Sequence, residues 1–190
     1  ALHGINYTGN ITLTNTTLQA SVLESISELT SGTVNARMID TLLGTTAELN
    51  TAYGLSNVSN LGDEACILSD TTLAVADLNT LDSHTSGLVN AATVTTLTGS
   101  AADMNTAYTS SGISDLGNES CIISNEKDDN IDATILSFIG GATTGTVTVT
   151  NAVHITGDHE EVTAALVTSD SLVVAGSATI TINDDAYDVI

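Results

Sequence analysis

Two cysteines, Cys66 and Cys121, stand 55 residues apart in matching surroundings, LGDEACILS and LGNESCIIS. A thiol can serve as a nucleophile, a metal ligand or half of a disulfide. If each segment is a strand, Cys66 alternates with Leu68 and Cys121 with Ile123, which turns both sulfurs toward an apolar face. Small buried hydrophobes are the plainer reading; a bridge between subunits or a reactive thiol is the alternative.

Oxygen ligands come next. Asp128, Asn130 and Asp132 in NEKDDNID have the D-x-N-x-D spacing that opens a calcium loop. Ala133 stands where such a loop needs glycine and Ile139 where it needs glutamate, so a solvated insertion loop competes with calcium as the reading. His154 and His159 lie near Glu160 and Glu161, without a cysteine or a second histidine cluster to complete a metal site. Asn-x-Ser/Thr sequons at Asn6, Asn10, Asn15, Asn57 and Asn118 are glycosylation candidates. The run TVTVT at Thr146–Thr150 would make a flat threonine array only if repeated on neighbouring strands, and the equivalent strands read VNA and CIIS. No nucleophile elbow, metalloprotease helix or phosphate-binding glycine loop occurs, so no enzyme is expected.

Charge narrows the partners. Two basic residues, Arg37 and Lys127, face 23 acidic ones, for a net charge of −21. Nucleic acids and anionic membranes are bound through Lys and Arg, so neither is an expected partner. Such acidity suits a secreted protein in a salty or divalent-rich medium. No apolar run reaches the roughly 20 residues of a membrane span, and no signal-peptide pattern opens the chain. The apolar residues are small, with 3% aromatic and no proline, which favours thin, regular layers over one thick core.

The elements that must carry these residues are repeated. Shifted by 55, Leu13–Ser69 lies on Leu68–Ser124 without a gap, with 27 of 57 positions identical. A third copy follows at an offset of 58, placing Ile131 on Leu73, Leu136 on Leu78, Gly145 on Gly87 and Val147 on Val89. The array divides into a partial repeat (1–12), two full repeats (13–67 and 68–122) and a divergent third (123–190) ending in a strand. In the outer copies the cysteine position falls on Ile11 and Thr179. A period of this length marks a solenoid or array.

Each repeat reads as two helix–strand halves. In the first, Asp70 or Thr71 is expected to cap a helix whose apolar side carries Leu73, Leu78 and Leu81, followed by the strand LVNA. In the second, a capping box of Ser100 with Asp103 recurs as Thr45 with Glu48 and Asp158 with Glu161. Ala101, Met104 and Tyr108 then share a helix face, and ESCIIS is a strand. The stretch ATVTTLTG reads equally as a 3₁₀ turn or a short strand. Such short strands are stable only when stacked. The expected fold is therefore a right-handed α/β solenoid of short parallel strands with helices on one side, about seven coils long. On that architecture the cysteines are two coils apart, about 10 Å, too far for a disulfide. Ala1 opens the sequence in mid-repeat and the final residues are strand-like. That pattern suits either a piece of a longer array or ends completed by neighbouring subunits.

The runs GTTAELNTAY, LGDEACILSDTTLA, LNTLD and TSGLVNA resemble repeats of very large cell-surface proteins of marine cyanobacteria and other aquatic bacteria. They are also similar to the AAELN repeats of phage tail-fibre and virion proteins. GTVTVTNAVHITGD in the third copy resembles Thr/Val-rich repeats of giant secreted adhesin-like proteins. The resemblance implies an extracellular structural or adhesive role and carries no catalytic residues. The expectation is an extracellular, self-assembling head-to-tail homo-oligomer forming a filament, sheath or surface fibre. The alternative is a calcium- or glycan-binding segment of a larger adhesin or phage fibre.

Overall fold

A computed structural model describes residues 7–168 and 172–184. The chain opens with β1 (Ile11–Thr12). The first repeat then runs β2 (Thr17–Gln19), α1 (Ala20–Glu28), β3 (Val34–Asn35), β4 (Thr41–Gly44), α2 (Thr46–Tyr53), β5 (Val58–Ser59) and β6 (Ala65–Leu68). The second follows the same order: β7 (Thr72–Ala74), α3 (Val75–His84), β8 (Val89–Asn90), β9 (Thr96–Gly99), α4 (Ala101–Thr109), β10 (Ile113–Ser114) and β11 (Ser120–Ile123). So does the third: β12 (Asn130–Asp132), α5 (Ala133–Ala142), β13 (Val147–Val149), β14 (His154–Gly157), α6 (His159–Leu166), β15 (Val173–Val174) and β16 (Thr179–Ile182).

All pairings between these strands are parallel, in four sheets. One coil is a strand, a helix and a second strand. Thr17 pairs with Thr41 and Thr41 with Ala65, a step of 24 residues. Two such steps fall short of the 55-residue repeat, and the remainder holds one lone strand: β6, β11 or β16. We call these switch strands. Before β6 the first strand of each coil joins β2 and β4, and the second joins β1-β3-β5; after it, the second strands β8 and β10 continue the β2-β4-β6 sheet.

The chain forms two compact units. One is built on the chain up to Thr71 with 77–94 and 111–115; it holds the sheets β1-β3-β5 and β2-β4-β6-β8-β10, with α1 packed on α2. The other is built on 72–76, 95–110 and the chain from Leu116; it holds the sheets β7-β9-β11-β13-β15 and β12-β14-β16, with α5 packed on both α4 and α6. Within each, the chain runs as an α/β solenoid of parallel strands. The cores are narrow and aliphatic: Leu23, Leu42 and Leu49 in the first unit, Leu97, Met104, Ile123, Leu136 and Ile155 in the second, all below 2% exposed. Short side chains fit this geometry, because neighbouring strands lie only about 4.8 Å apart.

Helix starts follow the expected boxes with one addition. Thr45 with Glu48 and Asp158 with Glu161 form complete capping boxes, and Ser100 accepts from the Asp103 amide. Asp70 does not cap the helix that follows it. The segment Thr72–Ala74 is a strand, held in register by Thr96–Thr98, and the helix begins only at Val75. Asp70 instead accepts from the Thr46 amide at 2.6 Å, capping α2 from 24 residues away. Asn125 does the same for Ala101 of α4 (2.9 Å) and Asp184 for His159 of α6 (2.7 Å). A caps-from-the-next-coil arrangement is invisible to local reading, which sees only the adjacent helix. ATVTTLTG resolves into a turn followed by β9.

Candidate functional site

The most chemically loaded place in each unit lies beside a switch strand. Tyr53 ends α2 and its hydroxyl donates to Glu64 Oε2 at 3.1 Å, while lying 3.4 Å from Cys66 Sγ. In the second unit Tyr108 donates to Glu119 Oε2 at 3.0 Å and lies 3.2 Å from Cys121 Sγ. Glu64 is 1% exposed and Glu119 fully buried, as are both sulfurs. Neither glutamate faces a lysine or arginine. Backbone N–H groups hold them instead: Gly62 donates to Glu64 at 2.8 Å, and Gly117 reaches both Glu119 oxygens at 3.0 and 2.9 Å. The two glycines adopt φ of +133° and +134°, open chiefly to glycine, which lets the amide double back on the carboxyl two residues on.

A threonine two residues before glycine locks the glutamate backbone. Thr85 Oγ1 donates to the Glu64 carbonyl at 2.7 Å and accepts from the Gly87 amide at 3.0 Å. Thr143 does the same for Glu119 (2.6 Å) and Gly145 (3.0 Å), and Thr30 for Gly9 (2.6 Å) and Gly32 (2.9 Å). Gly87 and Gly145 are obligatory for a steric reason. A Cβ on either would lie 2.3 or 2.2 Å from the glutamate carbonyl oxygen.

The cluster is built to stay uncharged at sulfur and phenol. Burial pushes the Tyr53 and Tyr108 hydroxyls far above the ordinary phenol range, helped by the neighbouring cysteine. Burial likewise pushes the Cys66 and Cys121 thiols up. A protonated thiol without solvent access is a poor nucleophile and a poor metal ligand. The arrangement ties the end of a helix to a switch strand. Both cysteines are free and buried, in line with the apolar face expected from alternation. Their tyrosine and glutamate partners went unread, although YGLSNVSNLGDEAC and YTSSGISDLGNESC share the same Tyr-to-Glu-to-Cys spacing. Reading acidic residues as caps and loop residues missed the two that are buried.

The remaining candidates are dispersed. Asp128 lies exposed with φ +68° and pairs with Lys127 at 2.7 Å, which holds its carboxyl below the usual range. Asn130 and Asp132 sit in β12, paired with His154 and Thr156. Asp132 caps α5, accepting from the Thr134 hydroxyl at 2.6 Å and amide at 2.8 Å, and those bonds hold its carboxyl low. His154 Nδ1 lies 2.8 Å from Thr179 Oγ1, and His159 opens α6. Among the described residues no group of three or more His, Cys, Asp or Glu is placed to hold a metal. Of the sequons, Asn15 and Asn118 are exposed, and Asn10 is exposed while accepting from the Thr33 amide at 2.9 Å. Asn57 donates to the Ser27 and Thr30 carbonyls at 3.0 and 3.3 Å, an inward tie that a glycan would break. Asn6 lies outside the described residues.

The third copy departs from the cluster. Pairing of Ile155 with Ile180, against Leu97 with Cys121, makes Ile180 rather than Thr179 the residue at the cysteine position. Two extra residues between α6 and β15, less one between β15 and β16, cause the slip. Two residues earlier stands Ala178 in place of glutamate, and Leu166 takes the place of Tyr108 at the end of α6. No helix among the described residues is long and apolar enough to cross a membrane. No family model, curated protein or solved structure matches the chain.

Proposed function

We propose that this chain is an extracellular structural repeat protein, not an enzyme, whose copies join end to end into a filament, sheath or surface fibre. One observation carries the reading. β16 has the register of a switch strand, yet among the described residues only β14 pairs with it. Its Ile180 and Ile182 are 51% and 50% exposed, while Cys121 and Ile123 at the same positions of β11 are fully buried. An apolar strand edge of this kind is a template for another chain. The buried clusters support the same reading, because the Tyr53 and Tyr108 hydroxyls are taken up by Glu64 and Glu119 out of reach of solvent. A net charge of −21 would keep a long assembly dispersed in a saline medium. The competing reading, a calcium- or glycan-binding adhesin segment, has less support: Asp128 and Asp132 already hold Lys127 and Thr134.

Negative-stain electron microscopy over a concentration series tests the proposal. Uniform filaments that lengthen with concentration support it, and their loss in the Ile180→Asp/Ile182→Asp variant ties them to the β16 edge. A monodisperse particle at every concentration overturns it. A large rise in melting temperature on adding calcium would favour the competing reading.

A further inference from the structure

We propose that assembly proceeds by strand replacement: β16 of one chain takes the place of β1 beside β3 of a second copy. The inference rests on the end-to-end reading above and names how the ends meet.

Sheet order gives the first argument. Each five-stranded sheet has two first strands, a switch strand and two second strands, as in β2-β4-β6-β8-β10 and β7-β9-β11-β13-β15. The sheet β12-β14-β16 is the first three-fifths of that pattern, and β1-β3-β5 is the last three-fifths. Both contain the switch position, filled by β16 in one and by β1 in the other. Ile11 pairs with Val34 as Cys66 pairs with Val89, and β16 pairs with β14 as β11 pairs with β9. Two copies therefore offer two strands for one place. With one of them displaced, the junction sheet reads β12-β14-β16 followed by β3-β5 of the second copy, the order found inside each unit.

The holding contacts decide which strand yields. β16 keeps four register pairs with β14, from His154 with Thr179 to Gly157 with Ile182. Beyond them Asn183 donates to the Gly157 carbonyl at 2.9 Å, and Asp184 caps α6 at 2.7 Å. These repeat the bonds from Ser69 to Gly44 and from Ser124 to Gly99, so β16 is seated as β6 and β11 are. β1 has only two register pairs with β3, closed by the Ile11 and Leu13 amides, and the residues leading into it are tied by Ser31 to Tyr7, Thr30 to Gly9 and Thr33 to Asn10. Exchange re-forms the ladder bonds to β3 and covers Ile180 and Ile182, which β1 cannot do from its present position. The expected register sets Ile180 against Val34 and Thr181 against Asn35, copying Cys66 with Val89 and Ile67 with Asn90.

Paired cysteines test this in the full chain. Thr181→Cys/Asn35→Cys, treated with a bifunctional thiol reagent spanning about one interstrand distance, is expected to give a ladder of covalent multimers from assembled samples. Thr181→Cys/Thr12→Cys is expected to give at least tenfold less, because a displaced β1 does not stand beside β16 of the neighbouring copy. The native thiols are buried and serve as the unreactive background. A second full-chain variant, Ile11→Asp, weakens β1 and is expected to lower the concentration at which filaments form several-fold. Filaments that crosslink through Thr12→Cys and not Asn35→Cys, or that vanish with Ile11→Asp, overturn replacement while leaving end-to-end assembly standing. Absence of filaments in the parent chain overturns both.

Discussion

β11 and β16 occupy equivalent places in consecutive repeats, and their surroundings are opposite. β11 has β9 on one side and β13 on the other; it carries Cys121 and Ile123 with no exposure. Beside it stands a polar cluster of Tyr108, Glu119 and the Gly117 amide. β16 has β14 alone among the described residues, half-exposed isoleucines at the matching positions, and Leu166 and Ala178 where the cluster would be. The difference shows that a repeat position has no fixed burial of its own. Coverage comes from the next strand along the solenoid. It also shows what the polar cluster does: it appears where the switch strand is enclosed and is absent where the edge is open. An open edge gains from apolar residues alone, since a half-covered glutamate would have to be dehydrated at each new contact.

The comparison is broken most sharply by truncating the same position twice. Ile123→Ala is expected to cost about 2–5 kcal/mol, the usual range for emptying a buried site. Ile182→Ala, already half in solvent, is expected to cost under about 1 kcal/mol. Urea denaturation of the dilute chain separates the two; equal losses would mean that β16 is as enclosed as β11. Next in size is the cluster. Glu119→Ala leaves the Tyr108 hydroxyl and the Gly117 amide without their acceptor, at about 1–3 kcal/mol. The same substitution at Glu64 should cost less, because Gly62 reaches one carboxyl oxygen where Gly117 reaches both, and the buried Glu64 Oε1 has no partner to lose.

Alkaline titration sharpens the role of burial. Both thiols are pushed up from an ordinary value of 9.0, so the native state keeps protons that the unfolded chain releases. Stability from this source is whole below pH 9.0 and falls as pH rises beyond it. Cys66→Ala/Cys121→Ala should therefore lose less stability between neutral and strongly alkaline pH than the parent. An identical slope in both chains would remove the thiols from the explanation. The remote caps come last: Asp70→Ala should cost about 1 kcal/mol through the freed Thr46 amide, measured by the same denaturation. If melting of α3 rather than α2 accompanied the loss, Asp70 would be a local cap after all.

Much of the framework was legible. Identity at a fixed offset aligned Val147 with Val89 and Gly145 with Gly87, and the structure pairs Val147 with Cys121 as it pairs Val89 with Cys66. The capping boxes gave three helix starts because that bond joins residues three apart. Alternation along ESCIIS correctly turned Cys121 inward. The candidate site was half legible: the cysteines stood out by type, while Glu119 looked like any acidic loop residue until a tyrosine from α4 and a threonine beyond α5 closed over it.

The sequence by itself determined the repeat, the alternation of helix and short strand, and the inward face of each strand. These depend on residue type and on spacings within one turn or one pleat. Only the tertiary structure decided that a coil is 24 residues within a 55-residue repeat, so that one strand per repeat is left to change sheets. It also decided that Asp70 serves a helix already made, and that Ile180 and Ile182 are uncovered where Cys121 and Ile123 are not. The physical reason is common to all three. Each depends on which strand lies one coil away, and parallel stacking brings together residues whose chemistry says nothing, locally, about their neighbour.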